Sequence, residues 1–223
     1  MGIPSIGTSD CGGFQRRGPV NSLTLISYAG FLMSITGIVF LNAMIRPPIL
    51  KLTGLALFYL GGSILLLNVC SFQMCAALLV CGIGVTVLFG TADREHFIHP
   101  EPIEDARIMN IFRLILTVMI GILSYTITDL FQYWIPVRRS FLFVCVMAGL
   151  MGLISLSLDE DLIFRCMHLQ SLCLAFTICY VIMENSVLVF SFFVAINLLM
   201  AFGGTVMVMG TVQKVESNTE EVS

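Results

Sequence analysis

Few residues in this chain could do chemistry inside a membrane, and each stands almost alone in apolar surroundings. Glu184 is the only charge between Arg165 and Lys214, and His168 lies two turns into an apolar run. Asn42, Asn68, Gln170 and Asn197 are the other isolated polar groups. Amides and an imidazole can line a polar pathway for a small solute, so Asn42, Asn68, His168, Gln170 and Asn197 are candidate pathway residues. A buried carboxylate or imidazole handles ions or protons, which nominates Glu184 and His168 for that role.

A richer cluster occupies residues 93–107, DREHFIHPEPIEDAR, where Asp93, Glu95, His96, His99, Glu101, Glu104 and Asp105 could surround a divalent cation. His96 and His99 are not an i, i+4 pair, two prolines interrupt the run, and no glycine permits a tight calcium loop. The segment therefore reads as a solvated connector, and no metal site is predicted. Apart from Cys11 the cysteines lie in apolar segments without a C-x-x-C, as small packing residues. No P-loop, dinucleotide fingerprint, nucleophile elbow or H-E-x-x-H is present, so neither a cofactor nor catalysis is expected.

These residues sit on elements that composition identifies. The chain is 57% hydrophobic and 11% charged, with a mean hydropathy of +0.97, far from the soluble norm of about 25% charged. It reads as an integral membrane protein whose first partner is the lipid bilayer. A net charge of −3 without a basic stripe excludes nucleic acid. Residues 1–22 lack the apolar core of a cleavable signal peptide and read as a flexible polar segment. Ile6 stands where a myristoylation pattern at Gly2 wants Ser or Thr.

A crossing needs about 20 apolar residues. Segments 23–45, 108–135 and 141–158 each supply one. The uncharged stretch 52–92 would make a helix of about 61 Å, twice the hydrocarbon thickness, so it must fold back near Ser71-Phe72-Gln73 into crossings at 52–70 and 74–91. The same arithmetic over 166–213 demands a hairpin at Glu184-Asn185-Ser186, with crossings at 162–183 and 187–209; this reading places Glu184 at an interfacial turn. Residues 214–223 form an acidic, unfolded tail. The expected fold is an all-α, polytopic transmembrane helix bundle of about seven spans, six if one hairpin is re-entrant.

The spans fall into three, one and three, which suggests an internal repeat. In layout alone the chain resembles the SWEET sugar transporters and the hydrogenase-type membrane subunits related to the small antiporter-like subunit of respiratory complex I. The first resemblance implies prolines within the repeated helices, where here Pro47 and Pro48 sit at a helix end. The second implies carboxylates inside the crossings, where the helix at 162–183 offers His168 and Gln170. The layout identifies no family.

At the span ends, Arg113 is expected to snorkel to one interface, Asp129, Tyr133 and Trp134 to mark the other, and Asp159-Glu160-Asp161 to complement a helix dipole. One side collects Arg46, Lys51, Arg94, Arg107, Arg165 and Lys214 against Arg16, Arg17, Arg138 and Arg139 on the other. This excess favours a cytoplasmic carboxyl tail. Small pairs such as Gly30 with Ser34 and Gly61-Gly62 predict close helix approach, within a compact bundle or a homodimer. The functional expectation is a non-enzymatic structural, assembly or interaction component, alone or with other membrane subunits. The alternatives are a transporter or channel of two three-helix repeats, and a membrane subunit of an energy-converting complex, which would need Glu184 or His168 buried and linked to other titratable groups.

Overall fold

A computed structural model describes residues 20–42, 48–67, 69–96, 106–134, 137–184 and 186–220; side chains are described from residue 25 to residue 210, apart from helix ends beside the undescribed segments. The described residues form seven α-helices and no strand: α1 (Val20–Asn42), α2 (Pro48–Leu66), α3 (Phe72–His96), α4 (Ala106–Gln132), α5 (Arg139–Leu158), α6 (Leu162–Met183) and α7 (Val187–Glu220). All seven are long and apolar enough to cross a membrane.

Both stretches, one free of charge and one charged only at Glu184, fold back as their lengths require. Between α2 and α3 the N–H groups of Val69 and Cys70 donate to Leu66 O, and those of Met74 and Cys75 to Ser71 O, so backbone groups freed by the break are satisfied locally. Between α6 and α7, Glu184 donates its N–H to Tyr180 O and accepts from Ser186 N–H.

Several helix ends differ from the expected ones. α2 starts at Pro48 rather than 52, because proline at the first helical position forfeits no hydrogen bond and presets φ. It ends at Leu66 rather than 70. α3 runs past 91 to His96, so the first residues of the acidic connector continue a helix. α7 continues to Glu220, which replaces the unfolded tail with helix over residues 214–220; no Gly or Pro follows Gly210 to stop propagation. Residues 1–19, the connector at 97–105, Asn68 and Asn185 lie outside the described residues.

The helices pack as hairpins, α1 on α2 and α5 on α6, with α2 against α3 and α6 against α7. Across the bundle, α1 meets α5, α2 meets α6 and α3 meets α7, so corresponding helices of the two triplets face each other. α4 stands outside this core and packs chiefly on α5.

Glycine sets the closest of these contacts. A Cβ on Gly37 would lie 2.6 Å from Phe58 N and one on Gly61 2.5 Å from Ser34 N, so α1 and α2 touch backbone to backbone. Gly62 takes the Ile178 side chain of α6, and Gly82 of α3 takes Tyr59.

Candidate functional site

The α5–α6 hairpin turns within three residues, and its first, Asp159, is drawn into the bundle instead of facing water. Its N–H caps α5 by donating to Ser155 O at 3.0 Å, and the residue is 5% exposed. Four helices converge on it. Lys51, in the first turn of α2, places Nζ 3.4 Å from Oδ2 and 3.7 Å above the Phe164 ring. Arg113 of α4 donates from Nη2 to Oδ1. His168 of α6 places Nε2 2.6 Å from Oδ2. Arg165 donates from Nε to the backbone oxygen of Asp159.

Burial pushes the Asp159 carboxyl upward, but the hydrogen bonds from His168 and Arg113 and the charge of Lys51 outweigh it and hold it well below the usual carboxylate range. An ionised carboxylate only accepts, so the short contact to His168 requires the proton on Nε2. Nδ1 of the same ring is buried without a hydrogen-bond partner, as are Nε and Nη1 of Arg113. One carboxylate thus faces an arginine, a lysine and an imidazole, with Arg113 donors left over.

A second polar group lies deeper. Gln170 follows His168 by two residues, roughly 200° around α6, and so points away from Asp159. Its Nε2 donates to Tyr59 OH at 2.7 Å and to Asn197 O and Oδ1 at 3.0 Å each. Tyr59 OH is 3.4 Å from Asn197 Oδ1, while Asn197 Nδ2 donates to Thr177 Oγ1 at 3.0 Å and to Phe193 O at 2.9 Å. All four side chains are buried, and they tie α2, α6 and α7 together. Asn42 stands apart from both groups: it donates to Ile38 O at 2.7 Å and accepts from Ser155 Oγ.

Among the residues nominated from sequence, Gln170 and Asn197 therefore meet, His168 joins Asp159, and Asn42 pairs with α5. Glu184 is exposed in the α6–α7 break, where it accepts from Tyr180 OH, and is not joined to His168. Three members of the charged centre were read differently from sequence. Arg113 does not snorkel: it is 6% exposed and aimed inward. Asp159, expected only to complement a helix dipole, is buried at the centre, and Lys51, counted from sequence only toward sidedness, reaches it. The inward direction of Arg113 did have a signal, since Asn110, Arg113, Thr117, Ser124 and Thr128 recur three, four or seven residues apart along one stripe of α4.

The best-formed hollows of the described region lie elsewhere. A cavity of about 10 Å³ is lined by Phe141, Leu142, Cys145, Cys179 and Ile182. A shallow surface depression runs along Thr126, Asp129, Leu130, Tyr133 and Trp134 of α4.

Seven apolar helices tied internally by polar contacts define the class: a multi-pass membrane protein of the helix-bundle kind. Comparison with protein-family models, with curated proteins and with solved structures gives no significant match. The role of the chain is accordingly argued from its own residues.

Proposed function

We propose that this protein is a non-enzymatic structural or assembly component of its membrane, which docks through α4 to other membrane subunits or to a second copy. The observation that carries this reading is the way its interior polar groups are spent. Gln170, Tyr59, Asn197 and Thr177 bond one another across three helices, which holds the bundle together and leaves no donor turned toward a solute. Such contacts between membrane helices contribute about 0.6 kcal/mol each. α4 supplies the most outward surface: 17% of its membrane window is buried, against 22% for α7 and 50% for α5 and α6, and Leu114, Val118, Met119 and Ile122 stand exposed along it. The carboxyl end is assigned to the cytoplasmic side on the cation excess at that end of the bundle, which includes Lys51 and Arg165.

Photo-crosslinking in native membranes tests the reading. Probes at Met119 and Leu123 of α4, both exposed, are expected to capture protein, whereas a probe at exposed Phe202 of α7 captures only lipid. Capture of lipid alone at all three positions, with a monomeric mass in mild detergent, overturns it. Protease accessibility of a carboxyl-terminal tag in sealed vesicles of known orientation tests the sidedness.

A further inference from the structure

We propose that His168 and Asp159 form a proton-binding switch that governs how firmly α4 is held to the bundle. The geometry begins with competition for one carboxylate. Oδ1 of Asp159 serves Arg113, while Oδ2 is shared by His168 at 2.6 Å and Lys51 at 3.4 Å. The imidazole holds the closer place. From the same position Lys51 also lies over the Phe164 ring at 3.7 Å.

The atom that would take up a proton is Nδ1 of His168. With Nε2–H donating to Asp159, Nδ1 is a neutral acceptor without a partner. Once protonated it becomes a charged donor in a fully buried place where no acceptor stands, which costs far more. The proton also adds a third positive charge around a single negative one. The charged groups acting most strongly on His168 are Asp159 from the α5–α6 turn, Lys51 from α2 and Arg113 from α4. Arg165, the remaining cation on α6, reaches the backbone oxygen of Asp159. Lys51 and Arg113 are both repelled, and of the two it is Arg113 that joins α4 to the rest of the bundle.

Beyond the apolar packing of Leu116 and Ile120, this contact is the polar tie that holds α4 at that end. Its hydroxyls are turned back on its own backbone, Thr117 to Arg113 O and Thr128 to Ser124 O, and Ser124 Oγ has no partner. Among the described residues Arg113 makes α4's one ion pair at the end where α5 finishes; the other, Asp129 with Arg139 at 2.6 Å, is at the opposite end and half exposed. Uptake of a proton at His168 therefore loosens one end of α4 and leaves the other anchored. Nothing but a proton moves between water and the imidazole.

The test is hydrogen–deuterium exchange of the full chain in lipid nanodiscs, read on peptides covering residues 108–118 and corrected for intrinsic exchange. Between pH 8 and pH 5 their exchange is expected to rise about tenfold, the coupling of a typical two-site linkage, while peptides of α7 stay constant. His168→Gln keeps a donor toward Asp159 but cannot take the second proton, and its α4 exchange is expected to be flat. A flat wild-type profile, or an equal slope in His168→Gln, overturns the proposal. Ring-nitrogen NMR of wild-type protein decides the matter if that variant fails to fold. An imidazole that stays neutral at pH 5 sinks the switch, and one that titrates together with α4 exchange sustains it.

Discussion

Asp159→Asn and Asp129→Asn make the same chemical change in two ion pairs that differ in burial. Asp159 and its partners Arg113 and Lys51 have side chains 6%, 7% and 6% exposed, whereas Asp129 and Arg139 are 50% and 43% exposed. At the buried site the amide keeps the shape but loses the charge, so Arg113 and Lys51 remain out of water with no counterion. Breaking a buried pair in this way costs about 3–5 kcal/mol. At the exposed site water and salt already share the pair, and the loss is about 0.2–1 kcal/mol. Unfolding in mixed micelles with rising mole fraction of dodecyl sulfate, followed by circular dichroism, should show a large loss for Asp159→Asn and a small one for Asp129→Asn. Adding Lys51→Met to the Asp159→Asn chain removes one stranded cation and should restore part of the loss. Equal losses at the two sites, or no recovery from Lys51→Met, would refute a buried centre at Asp159.

Gly37→Ala should destabilise by roughly 1–3 kcal/mol, because its Cβ would stand 2.6 Å from Phe58 N and force α1 off α2. Gly121→Ala, with nothing within 4 Å, should be neutral or gain up to about 1 kcal/mol in helix propensity; thermal melts of the two variants side by side check both. Tyr59→Phe should cost about 1 kcal/mol, since Gln170 keeps Asn197 as acceptor, whereas Asn197→Ala takes away the acceptor of the Tyr59 O–H and the donor to Thr177, leaves Gln170 only Tyr59 and the backbone oxygen of residue 197, and should cost about 1–3 kcal/mol; a double-mutant cycle should show the two losses to be coupled. The depressed Asp159 carboxyl stays ionised in the folded chain while the unfolded chain takes up a proton near pH 4. Its contribution is complete above that pH and is lost as pH falls toward the lower folded value; a stability profile of Asp159→Asn should lack this acid limb.

Sequence reading reached the seven spans because their evidence is arithmetic: a stretch nearly free of charge and too long for one crossing has to turn, and the chain breaks between Leu66 and Phe72, slightly ahead of the expected place, and between Met183 and Val187, where expected. Helix ends were harder, since Pro48 both breaks one helix and opens the next, and α3 and α7 run on through charged residues that a hydrophobic count excludes. The charged centre was hidden for a different reason. Lys51, Arg113 and Asp159 each lie within two turns of a span end, where snorkelling explains a lone charge without any partner. Whether such a charge faces water or the bundle depends on helix rotation, and a helix apolar all round, such as α2, gives no periodicity from which to read it. α4 was the exception, for its polar stripe pointed Arg113 inward and so required a buried acid on a neighbouring helix. Position along the helices supplies a second constraint. Lys51 and Arg165 occupy the fourth residue of α2 and of α6, the corresponding helices of the two triplets, and both reach Asp159, one at its carboxylate and the other at its backbone oxygen. A single acid at the α5–α6 turn therefore binds matching cations from both halves of the bundle together with the helix that links them, which is why its protonation partner, His168, is placed to loosen that link.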